Sequence, residues 1–62
     1  MTNKFDMLVG KTLNEGRELF PDNLIRILKR DGIDILHLSN YNEDRVNVEE
    51  VKGIITSIIS EG

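Results

Sequence analysis

Cysteine and tryptophan are absent from these 62 residues, and histidine, tyrosine and proline occur once each. Without cysteine, neither a disulfide framework nor a thiolate metal site can form. No apolar run is long enough to cross a bilayer, and MTNKFDMLVG at the N-terminus lacks the apolar stretch of a signal peptide. The expectation is a soluble chain, with the cytoplasm favoured. Excess of basic charge is lacking too. A net charge of −3, with 31% of residues charged, argues against a nucleic-acid binder, which needs a basic patch.

What remains is a short chain that must fold on aliphatic residues. Residues 1–62 make one domain, with 1–7 as an N-terminal arm. At this size only about 60% of the unfolded surface is buried. The core therefore comes from Leu, Ile and Val, or is completed by oligomerisation. Phe5 and Met7 are expected to tuck the arm onto that core.

Thr12 and Glu15 have the spacing of a capping box, which starts a helix over Leu13–Phe20. Leu13, Gly16 and Phe20 share one stripe of it, and Gly16 implies close approach to a sheet. Pro21-Asp22-Asn23 ends the helix. Leu24–Lys29 reads as a strand and Arg30–Gly32 as a turn. Ile33–Leu38 alternates only in part and fits either a strand or an extended arm. Asp44–Glu49 alternates cleanly, with Val46 and Val48 on one face and Arg45 and Asn47 on the other. A turn at Glu50–Gly53 leads to a last strand, Ile54–Ile59, with isoleucines on both faces. The long connection at 29–43 is the anomaly, because loops of this length in small domains tend to be functional.

Enzyme chemistry is not expected. His37 could meet Ser39, Ser57 or Ser60, but nothing at this size supplies an oxyanion hole or a substrate pocket. No metal-ligand spacing accompanies His37, so neither a metal nor another cofactor is expected. LVGKT lacks the first glycine of a P-loop, and Asn42-Glu43-Asp44 lacks the spacing of a calcium loop.

Taken together, LVGKT, EGREL, IRIL, YNEDRVNV, GIITSI and terminal Gly62 span nearly the whole chain from Leu8 in a consistent order. In these segments the chain resembles the potato inhibitor I family of serine-protease inhibitors, and in particular its short bacterial relatives. The resemblance implies an α+β fold: one helix packed on a small mixed sheet of about three strands, with a long exposed reactive-type loop. It implies a serine-protease partner of subtilisin, chymotrypsin or elastase type. His37, Leu38, Ser39, Asn40, Tyr41 and Asn42 would form the reactive loop, with Ser39 entering the primary pocket. Asp44, Arg45 and Asn47 would support the loop, Arg45 pairing with Asp44 or with nearby loop carbonyls. A loop braced in its bound shape loses less entropy on docking. Asn40, Asn42 and Glu43 differ from the family's usual acidic, basic and apolar residues.

Two other readings come from the residues alone. One is a non-inhibitory interaction module or small homo-oligomer, drawing on Ile54, Ile55, Ile58 and Ile59. The other is an oligomer that sequesters an anionic small ligand, such as a nucleotide, through Arg17, Arg26, Arg30 or Arg45.

Overall fold

Residues 4–35 and 41–62 are described by a computed structural model. The capping box forms as its spacing suggests. Thr12 Oγ1 accepts from the Glu15 N–H at 3.2 Å, and Glu15 Oε1 accepts from the Thr12 N–H at 2.9 Å. These bonds satisfy two of the orphan donors at the start of helix α1, Leu13–Leu19. The helix stops one residue short of Phe20, whose φ of −128° is not helical. Pro21 follows, and a residue before proline is pushed out of the helical region.

The N-terminal arm coils into a 3₁₀ segment, Lys4–Leu8. Residues three apart eclipse on such a helix, so Phe5 and Leu8 point inward together. Phe5 docks as expected, but Met7 does not: it is 61% exposed and Leu8 takes the place assigned to it.

The sheet has four strands rather than about three. They are β1 (Leu24–Arg30), β2 (Ile33–Asp34), β3 (Arg45–Val51) and β4 (Ile54–Glu61), in the order β2-β1-β3-β4. The central β1–β3 pair is parallel, and both outer pairings are antiparallel. The alternative left open at Ile33–Leu38 falls to a strand at Ile33–Asp34, whose two residues are too few to show a period. Asp31-Gly32 turns β1 into β2, and Lys52-Gly53 turns β3 into β4, all four residues having positive φ. Such turns match the twist of a hairpin. Consequently β3 runs on to Val51, and the expected turn at Glu50–Gly53 shrinks to its last two residues. The 29–43 connection is likewise interrupted by the end of β1 and by β2.

Phe5, Leu8, Val46, Val48 and Ile55 form the core, with Phe20, Ile25, Ile27 and Ile58 packed around it. The Phe5 and Phe20 rings lie 5.1 Å apart at a tilt of 57°. A Cβ on Gly16 would stand 2.8 Å from Leu8 Cδ2 and 3.1 Å from Ile25 Cδ1, so the missing side chain lets α1 approach the sheet. The last strand departs from simple alternation. Its register with β3 shifts twice, passing over Thr56 and Ile59. These bulges let Ile55 and Ile58 both serve the core, while Ile54 and Ile59 are 37% and 47% exposed.

Candidate functional site

The sheet's second face carries the polar residues that alternate with the core. Leu24 pairs with Arg45 and Arg26 with Asn47 in the β1–β3 register, directly beside the inward pairs Ile25–Val46 and Ile27–Val48. Arg45 and Asn47 are buried although they face away from the core, at 9% and 4% exposure. Buried polar groups need partners, and these have them.

Arg45 is tied to Gly62 three times. Its Nη2 and Nε donate to the Gly62 carbonyl oxygen at 3.0 and 3.4 Å, and its own carbonyl accepts from the Gly62 N–H at 2.7 Å. The bidentate fork fixes both the guanidinium and the end of β4. Gly62 has φ +104°, and a Cβ there would lie 2.8 Å from Tyr41 Cε2. Tyr41 thus rests its ring on Gly62 while remaining 80% exposed. Arg45 is expected from sequence to pair with Asp44 or with nearby loop carbonyls; the described contacts add this clasp on Gly62, and the carbonyls of 36–40 lie outside the described residues. Asp44 acts through its backbone: its carbonyl accepts from the Leu24 N–H at 2.9 Å and from Asn23 Nδ2 at 3.0 Å.

Asn42 shapes the approach to β3. Its Oδ1 accepts from the Asp44 N–H at 2.9 Å, and its carbonyl accepts from the Arg45 N–H at 3.1 Å. This is the local turn that Asn side chains favour. At the other end of the connection, the Ile35 N–H donates to the Leu28 carbonyl at 2.9 Å. His37, Leu38, Ser39 and Asn40, expected in the reactive loop, lie outside the described residues.

Asn47 links three strands. Its Oδ1 accepts from Arg26 Nε at 3.1 Å, and its Nδ2 donates to Ser60 Oγ at 3.1 Å. Burial, and secondarily the charge of Arg45, lowers the pKa of Arg26. Sequence reasoning offered Arg26 only as one of four arginines for an anionic ligand. The overlooked signal is its position between Ile25 and Ile27, which sends it to the same side as Asn47 once β1 and β3 run parallel.

Farther along this face, Leu28, Lys29, Asp34, Ile35, Glu49 and Ile59 line a groove of ≈ 430 Å³. Among the described residues, no group of three or more His, Cys, Asp or Glu could hold a metal ion, and no helix is long and apolar enough to cross a membrane.

No family model matches the chain. Over 47 residues it is 40% identical to an uncharacterized protein of Acanthamoeba polyphaga mimivirus, a match covering 76% of this chain. The chain spans 14% of the length of that relative.

Proposed function

We propose that the protein is a serine-protease inhibitor that presents residues 37–42 as an extended, substrate-like segment. The observation that carries this reading is the clasp of Arg45 on Gly62 beneath the Tyr41 ring. It holds the return end of the long connection against the sheet, while the Ile35–Leu28 bond holds the start. A segment anchored at both ends loses less entropy on docking than a free one. It also keeps its new termini close together if the bond between them is cut, which favours resealing. A protease–inhibitor contact of standard size buries about 1,600 Å², an area that such a segment and its flanks can supply. Ser39 is the residue proposed to enter the primary pocket, suiting a subtilisin- or elastase-like enzyme. The support residues are Asp44, Arg45 and Asn47.

Titration against subtilisin, elastase and chymotrypsin, followed by mass spectrometry, tests the proposal. Stoichiometric inhibition with one cut between Leu38 and Asn42 is expected. No inhibition of any serine protease across a broad panel ends the reading.

A second reading, a non-inhibitory interaction module or homo-oligomer, draws on one observation. Ile59, exposed on β4, borders the groove that also contains Leu28 and Ile35. Apolar surface beside a groove favours protein contact. Light scattering over a range of concentrations distinguishes it, because the inhibitor reading needs only a monomer.

A further inference from the structure

We infer that the outer edge of β1 is a strand-addition site for an extended peptide segment carrying a carboxylate. This goes beyond the inhibitor reading and does not depend on it. In a parallel ladder a strand sends the backbone groups of alternate residues to the same neighbour. The Leu24 N–H bonds the Asp44 carbonyl at 2.9 Å, so Leu24 and Arg26 turn their backbone groups toward β3. Ile25 and Ile27 turn theirs the other way. Strand β2 meets β1 only at Lys29 and Arg30, with one more bond from the Ile35 N–H to the Leu28 carbonyl. Among the described residues, nothing bonds the outward N–H and C=O groups of Ile25 and Ile27.

Sheet edges are usually blunted, and the opposite edge of this sheet shows how. There Ile55 exchanges two bonds of 2.8 Å with Gly10 and Lys11, and bulges at Thr56 and Ile59 break the rest of β4. Along Leu24–Ile27 the β1 edge has neither device. The one charged residue of that stretch, Arg26, bonds Asn47 on the second face instead of guarding the edge. Beside the edge lies a hollow of ≈ 360 Å³ lined by Arg17, Pro21, Asn23, Leu24 and Ile25. With α1 as one wall, it suits a single extended segment better than the edge of a second folded copy. Arg17 is the one charged group lining it, and no carboxylate pairs with Arg17 among the described residues. Main-chain bonds to Ile25 and Ile27 supply the affinity, and Leu24, 54% exposed, gives an apolar rest. Arg17 selects an acidic residue.

NMR of the full chain, isotope-labelled at nitrogen, tests the inference. Before any peptide is added, the Ile25 and Ile27 amides are expected to exchange with solvent fast, and those of Leu24 and Arg26 slowly. The probes are acetylated, amidated pentapeptides of alternating valine and threonine, with glutamate placed at each position in turn. Binding is expected to move the Ile25 and Ile27 amide resonances downfield and to slow their exchange, at millimolar peptide or below. N-methylation of alternate peptide amides should weaken the best binder about tenfold, through lost main-chain bonds. Replacing its glutamate by glutamine, or Arg17→Ala in the protein, should each weaken it about threefold, and both together no more than either alone. The inference is overturned if the Ile25 and Ile27 amides are already protected in the free chain, or if no peptide of the set moves them. Shifts at these amides that grow with protein concentration alone also overturn it, by giving the edge to a second copy. Equal binding of the glutamine and glutamate peptides overturns it too, because the carboxylate then plays no part.

Discussion

Gly62 shows how one residue can couple two parts of this chain. It sits at φ +104° with the Tyr41 ring where a side chain would go. Gly62→Ala must therefore adopt a backbone disfavoured by about 1–2 kcal/mol or push the ring aside. Tyr41 is 80% exposed, so the ring is the part that yields. Tyrosine is the only strong fluorophore here, because the chain has one Tyr and no Trp. Its emission anisotropy is expected to fall in Gly62→Ala as the ring gains freedom. Unchanged anisotropy would show that the ring is not held by this contact. Lys52 poses the opposite problem: a long side chain at φ 51°, in a hairpin position that favours Asn or Gly. Lys52→Asn is expected to raise stability by about 0.5–1 kcal/mol, since the Lys52 N–H that bonds Asp31 Oδ1 at 2.7 Å is kept. Denaturant midpoints check it. At this scale the sequence was uneven to read. The capping box and the inward valines were legible because local spacing determines them. Arg26, Gly62 and the Arg45 clasp were not, because each depends on which strand lies next door.

Among the elements, α1 has the most to gain from its own ends. Seven residues make a marginal helix in water, so nucleation has to be supported locally and by packing. Thr12 and Glu15 give that support. Thr12→Ala is expected to cost about 1 kcal/mol. The backbone hydrogen bond from Thr12, then that from its side chain, holds the Glu15 pKa below its ordinary value. A lowered folded pKa means that the ionised form stabilises the folded state above the unfolded pKa, and that this contribution fades as pH falls through the folded value. The stability gap between the parent and Glu15→Gln should therefore narrow on acidification through the carboxylate range. Paired melts from about pH 7 down to about pH 3 measure it; a gap that widens would reverse the assignment. The three longer strands were legible in place except where register changed. Alternation assumes one residue per step, and the β4 bulges at Thr56 and Ile59 break that assumption. A two-residue strand such as β2 carries no period at all.

For the molecule as a whole, the decisive relation is between the proposed scissile segment and the contacts that span it. A cut between Leu38 and Asn42 leaves the 3₁₀ segment, α1, β1 and β2 on one fragment and β3 and β4 on the other. The core does not respect that division: Phe5 and Leu8 pack with Val46, Val48 and Ile55. Neither does the hydrogen bonding. The parallel pairing of β1 with β3, the Arg30–Glu50 ion pair at 2.8 Å, the Arg26–Asn47 bond and the Lys52–Asp31 bond all cross it. Within a chain of radius of gyration 10.9 Å, each fragment holds roughly half of one core and cannot bury it alone. The nicked protein is therefore expected to stay together as a folded heterodimer, eluting with the intact chain under native conditions and separating only in denaturant. Its melting temperature should become concentration-dependent, because closure of the segment no longer supplies the effective concentration. Size-exclusion chromatography of the clipped product, with melts at two concentrations, measures both. Fragments that separate without denaturant would show that the spanning contacts are too weak to keep the cut ends in place. In that case resealing of the bond, on which the inhibitor reading depends, would have no structural basis.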